Sequence, residues 1–298
     1  MKTLNVIVLL IFLSAAAGLP AAAASDSLIY LIVRGDDIGS SHAANLGCIA
    51  SYKEGIQKTV EIMVPCPWFL EAVEMLKTCP GLDVGVHLTL TSEWEHYKWG
   101  PLTCAPSLVD SNGYFYPRQK NWSDQDATDA FWNAGPDMTQ VEQELRAQIV
   151  TAMRHIPQVS HVTGHMGIAS PGVSQKMSDL VERLAREYGL YIDLEAHHVK
   201  RTGPYFPDEQ TAGFASMSAE QRFIQMLRQL KSGAYLYVEH PGMDVPEMQA
   251  IGHTGNDEVA KKRAEVTRVF TSDRVNAVIQ ELGIQLISYA DLVSGKEN

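Results

Sequence analysis

Apolar, β-branched runs alternate along this chain with segments whose apolar residues recur at helical spacing, and most runs end in a residue that can bind a metal or move a proton. Strands that alternate with helices imply βα units and a mostly parallel sheet. The first run covers 28–33 and ends at Arg34-Gly35-Asp36-Asp37. Helical spacing follows at Ala44, Cys48, Ile49 and Tyr52 and stops at Gly55. The same reading predicts strands at 60–64, 82–90, 159–163, 235–238 and 284–287, and helices over 140–155, 174–188 and 257–282. Phe69, Val73 and Leu76 mark another helix. Asp36, Asp37, His87, His165 and His240 all fall at strand ends, where parallel α/β folds gather their active sites. Four strands delivering polar residues to one end suggest a barrel, irregular or incomplete.

The N-terminus carries Lys2, a short uncharged apolar run and an Ala-rich end, which reads as a secretory signal peptide over 1–24. The expected mature chain is a single domain over 25–298, exported to the periplasm or outside the cell. Losing Lys2 leaves 23 basic residues against 35 acidic ones, a formal charge of −12. That balance disfavours nucleic acid and anionic membranes as partners and suits a neutral or cationic substrate. Oligomeric state stays open, with a homodimer among the options. Cys48, Cys66, Cys79 and Cys104 are too few to form a disulfide scaffold, although Cys66 and Cys79 could pair.

One segment breaks the rhythm. Residues 91–138 show little periodicity yet hold four of the five tryptophans. Long loops are usually functional or disordered, and aromatic enrichment argues against disorder. Trp94, Trp99 and Trp122 are therefore candidate platforms for sugar rings; the alternative is that most of these rings anchor the loop. Asn121-Trp122-Ser123 also fits the N-glycosylation pattern.

The strand-end residues carry the chemistry. Two adjacent carboxylates, Asp36 and Asp37, repel unless a cation or proton lies between them, and a divalent metal resolves this. One of the two can be a ligand while the other stays free as a base. An exposed Asp-Asp turn capping the next helix is the competing reading. His87 lies in Gly85-Val86-His87-Leu88-Thr89-Leu90, His161 and His165 bracket Gly164, and Glu239-His240-Pro241-Gly242 fixes a histidine at a turn. Imidazole and carboxylate together suit Zn²⁺, Mg²⁺, Mn²⁺ or Ni²⁺, and three protein ligands leave open positions for water and substrate.

These motifs, in this order, resemble the YdjC-like (ChbG-type) carbohydrate deacetylases. The Gly-Asp36-Asp37-Ile-Gly39 opening with Asn45, the Gly85-to-Thr91 strand, the His161-to-His165 segment, the late His240-Pro241 and the tail around Asp291 all have counterparts there. The resemblance implies a distorted (β/α) barrel related to NodB-type polysaccharide deacetylases. It also implies one divalent ion held by Asp37, His87 and His165, with Asp36 as base. Departures include Thr163, where the family has an Asp between the paired histidines, Gly167 in place of a common His, and Arg34 and Ile38 in place of a small residue and Phe. His240 is the candidate acid, the alternative being that Asp36 returns its own proton. The expected activity is removal of acetyl groups from N-acetylated amino sugars or oligosaccharides. The rivals are a hydrolase of phosphoesters or cyclic amides, with a second metal drawn from His42, His96, His197, His198 or His253, and a non-catalytic carbohydrate-binding protein.

Overall fold

The computed structural model describes residues 28–120, 128–203, 216–256 and 258–294. The expected leader and Trp122 lie outside these residues.

The centre of the fold is β1 (Ile29–Ile38), whose last eight residues are all buried. A strand enclosed on both faces explains its near-continuous apolar sequence up to Val33. On one edge β1 pairs with β6 (Gly233–Glu239). On the other it takes β7 (Gln285–Ile287) at its start and β2 (Thr59–Ile62) from Arg34 onward. The sheet continues through β3 (Asp83–Leu88) to β4 (Val159–Gly164) on one side and to β5 (Val199–Thr202) on the other. All six pairings are parallel. The sheet curls without β4 meeting β5, giving the open half of a distorted (β/α) barrel, as the strand-end pattern suggested.

Helices α1 (His42–Lys53), α2 (Phe69–Lys77), α3 (Met138–His155) and α4 (Gln175–Glu187) follow the sequence expectation closely. On α2, Phe69, Ala72, Val73 and Leu76 are buried, and each large apolar side chain contributes about 1.5–3 kcal/mol. Beyond them lie α5 (Ala219–Gln229), the short α6 (Pro246–Gln249), α7 (Val259–Phe270), α8 (Asp273–Glu281) and α9 (Tyr289–Ser294). The single helix expected over 257–282 is thus two. Ser272 ends the run because its hydroxyl accepts from the Val275 amide at 3.3 Å and starts α8. Sequence reading also passed over β5 and α5. β5 reads Val-Lys-Arg-Thr, an edge strand with one apolar residue. α5 had a legible signal in the Ser218–Gln221 capping box ahead of Phe223, Ile224 and Leu227.

All four cysteines are free thiols. The pairing considered for Cys66 and Cys79 does not form. They flank α2, whose nine residues separate them by roughly 13 Å of helix axis, well beyond disulfide reach. Among its described residues before Met138, the aromatic segment has no helix or strand beyond a 3₁₀ turn at Pro106–Leu108. It is nonetheless packed: Phe115 and Phe131 are fully buried, and the Glu144 carboxylate of α3 accepts from the Leu102 and Thr103 amides at 3.1 and 2.9 Å. Among the described residues, no helix is long and apolar enough to cross a membrane.

Candidate metal centre and active site

The carboxyl end of β1 turns sharply. Asp37 sits in the left-handed region at φ 74°, which a non-glycine residue adopts only when its surroundings impose it. Those surroundings are explicit. The Asp37 carbonyl accepts from the Ser40 amide at 3.1 Å and from its hydroxyl at 2.7 Å. Asn45 Oδ1 accepts from the Gly39 amide at 2.6 Å, while its Nδ2 donates to the Trp68 carbonyl and Glu71. The Tyr97 hydroxyl, from the aromatic segment, donates to the Ser40 carbonyl. The turn sends the two aspartates apart, as the sequence required if they were to play different roles.

Asp36 faces Arg34, which donates to both its oxygens at 2.7 and 2.9 Å. Asp37 Oδ2 accepts from Arg263 of α7 at 2.6 Å. Its Oδ1 is buried and has no hydrogen-bond partner. This oxygen lies 3.7 Å from His87 Nε2 and 3.5 Å from His165 Nδ1. The three donor atoms lie within 4.8 Å of one another, and all three residues are buried. Ligands on a tetrahedral ion at bonds of about 2.1 Å lie about 3.4 Å apart, so the set fits a small divalent cation. An orphaned buried carboxylate oxygen aimed at two imidazole nitrogens is what such an ion would satisfy. It is the one grouping of this kind among the described residues. The candidates for a second metal stand elsewhere: His42 pairs with Glu71, His253 stacks on Trp94, and His96, His197 and His198 are exposed.

The far nitrogens of both imidazoles are held. His87 Nδ1 meets the Thr163 hydroxyl at 2.8 Å, and His165 Nε2 meets Glu93 at 3.0 Å. Burial lowers the pKa of His87, which favours the neutral ligand form. Burial would lower His165 too, but Glu93 and Asp37 outweigh it and push its pKa up to about 10. An ion taking Nδ1 therefore displaces a proton. Burial alone would raise the Asp37 carboxyl, yet Arg263, His240 and His165 hold it well below the carboxylate range.

These groups open on a cavity of about 600 Å³ at the carboxyl ends of the strands. Glu239, the last residue of β6, and His240 just after it line the cavity together with Arg201 of β5 and Lys262 of α7. Trp94 lines it as well, packed between His253 and Arg263, with the guanidinium 5.8 Å from its ring. Trp99 does not line it. That ring is buried behind His165, and its indole N–H donates to the Thr91 carbonyl at 2.8 Å, which is an anchoring position.

Residues 30–281 match the family described as YdjC-like protein. The chain belongs to that family. Relatives of this chain include carbohydrate deacetylase 1 of Listeria innocua, 28% identical over 265 residues, 88% of this chain and 99% of the relative. The carbohydrate deacetylase of Geobacillus stearothermophilus is also 28% identical, over 268 residues, 88% of this chain and 97% of that one. A solved structure from Enterococcus faecalis, described as a cellobiose-phosphate cleavage protein, shares the fold with a TM-score of 0.67 and 24% identity, covering 89% of this chain and 99% of that one.

The YdjC-like fold thus brings Asp36, Asp37, His87, His165, His240 and Trp94 to one cavity. Four partners escaped the sequence reading: Arg263, Glu93, Thr163 in its hydrogen-bonding role, and Glu61. Only Glu61 left a signal, as a charge in the otherwise apolar run Val60-Glu61-Ile62-Met63-Val64. Arg263 and Glu93 sit on an ordinary helix and an irregular loop, where charges are common.

Proposed function

We propose that this chain is a metal-dependent carbohydrate deacetylase that releases acetate from N-acetylated amino sugars or oligosaccharides. The observation carrying this reading is the buried Asp37–His87–His165 grouping with Asp36 beside it at a cavity mouth. The carbohydrate deacetylases among its relatives support the substrate class. One divalent ion, Zn²⁺, Mg²⁺, Mn²⁺ or Ni²⁺, would be held by Asp37, His87 and His165. Once bound, it would supply Lewis-acid polarisation of the amide carbonyl and make water acidic enough to attack near neutral pH.

The chain's own groups do the remaining work. Asp36, oriented by the two-point contact with Arg34, takes a proton from the attacking water. The carbon–nitrogen bond breaks, and the departing amine needs a proton to leave as a neutral group. His240, just past the end of β6 in the same cavity wall, supplies it. Trp94, packed between His253 and Arg263, forms part of the same cavity wall. We further propose that the mature chain acts after export, because residues 1–24 read as a leader.

The test is acetate release from a panel of N-acetylated monosaccharides and chitin fragments, with metal-stripped protein and again after each metal is added. Release that needs metal and is lost in His87→Ala is expected. Tight one-to-one metal binding with no acetate from any substrate would overturn the reaction class.

A further inference from the structure

We propose that Glu61, acting through Thr163, is the buried carboxylate that fixes the His87 imidazole for metal binding. The inference rests on the metal reading of this site and not on the identity of the substrate.

Glu61 is completely buried on β2. The Thr163 hydroxyl donates to its Oε2 at 2.6 Å. A hydroxyl has one proton, and this one is committed to the carboxylate. At the 2.8 Å contact with His87 Nδ1, Thr163 must therefore accept. Nδ1 then carries the hydrogen, and Nε2, the nitrogen facing Asp37 Oδ1, keeps its lone pair. Without the carboxylate, Thr163 could donate to Nδ1 instead, and the competing tautomer would put a hydrogen where the ion must sit. The carboxylate thus acts one residue removed from the ring it governs.

The sheet register builds this arrangement. Glu61 and His161 both lie opposite Gly85, on β2 and β4, and the His87–Thr163 pair lies two residues further along the same face. A Cβ on Gly85 would stand 2.2 Å from Glu61 Oε2 and 2.4 Å from His161 Nε2. Glycine there leaves the space in which those two side chains meet, at 2.8 Å. Arg34 Nε lies 3.8 Å from Glu61 Oε1, the oxygen that His161 also meets. Thr163 stands where the resemblance places an aspartate. Here the negative charge stands two strands away, on β2, and the Thr163 hydroxyl bridges to it across β3. Glu61 is therefore a positioning residue for the metal, touching neither ion nor substrate.

Two measurements on the full-length protein decide this. The first is the Zn²⁺ dissociation constant of Glu61→Gln, Thr163→Val and Glu61→Gln/Thr163→Asp, each beside its melting temperature. Loss of an outer partner of a ligating histidine typically weakens binding about 10–100-fold. That loss is expected in both single variants, with recovery to within about threefold in the double variant, where the carboxylate is returned next to His87. The second is the nitrogen-15 histidine spectrum of metal-free protein. Wild type should show His87 as the Nδ1–H tautomer, and Thr163→Val a mixture. If Glu61 only ties β2 to β4, the variants will melt lower while binding Zn²⁺ within twofold of wild type, and Thr163→Asp will restore nothing. That result, or an Nε2–H tautomer in wild type, overturns the proposal. Should Glu61→Gln not fold, the Thr163→Val comparison carries the same decision. A wild-type protein that takes up no metal would remove the metal reading itself, and the tautomer spectrum would then decide this inference alone.

Discussion

Replacing Arg263 with methionine removes the one guanidinium that reaches Asp37 Oδ2 and leaves that carboxylate buried beside two imidazoles. Both partners are nearly inaccessible, at 8% and 2% exposure, so solvent cannot replace the lost contact. Breaking a buried pair by removing one partner costs about 3–5 kcal/mol. At about 2–4 °C per kcal/mol for a chain of this size, metal-free Arg263→Met should melt roughly 6–20 °C below wild type. The loss should be partly conditional. Asp37→Asn removes the charge that Arg263 balances, so the double variant should be less destabilised than the sum of the single ones. A bound divalent ion should also raise the melting temperature of Arg263→Met by more than that of wild type, because it takes over the neutralisation of Asp37. Thermal unfolding of the four proteins, with and without Zn²⁺, reads all three effects. Strictly additive losses, or an Arg263→Met protein within about 1 kcal/mol of wild type, would refute this electrostatic account of the site.

Gly47→Ala should be destabilising by about 1–3 kcal/mol, since its Cβ would lie 2.4 Å from backbone atoms of Gly242 and neither α1 nor the turn after His240 can yield cheaply; equal melting temperatures would contradict that packing. Acid should weaken the fold through Glu61: burial would raise its pKa, but His161 and Arg34 outweigh burial and hold it at about 2, against an ordinary 4.5. A carboxyl lowered on folding contributes stability above about pH 4.5 that is lost as pH falls toward 2, amounting to about 3 kcal/mol. Urea unfolding between pH 6 and 2 should therefore show a shallower acid slope in Glu61→Gln than in wild type. His240→Gln should lower kcat about 10²–10⁴-fold, the range for a positioned proton donor, with metal affinity nearly unchanged; turnover close to wild type would remove it from the mechanism.

Most of the residues that gather at the cavity could be read from the chain, because strand ends in a parallel sheet are marked by an abrupt change from apolar to polar residues. Asp36, Asp37, His87, His165 and His240 each follow such a run, and the fold brings all five to one cavity. The aromatic segment was legible as ordered but not in its detail. Among its described rings, burial made Trp99 and Phe115 anchors and left Trp94 lining the cavity. β5 and α5 were missed for a different reason. An edge strand needs few apolar residues, and a short amphipathic helix is recognised mainly by its cap.

What the sequence determined by itself is therefore local: which segments are strands and helices, in what order, and which polar groups sit at their ends. Periodicity and composition act over a few residues and carry that information directly. Tertiary structure decided which groups face one another across the sheet. The separation of Asp36 toward Arg34 from Asp37 toward Arg263, and the alignment of Glu61, Gly85 and His161 in one row below His87 and Thr163, follow from strand register and from helix packing against it. Such contacts join residues up to 226 positions apart, and a one-residue slip in register would turn each of those strand side chains to the opposite face.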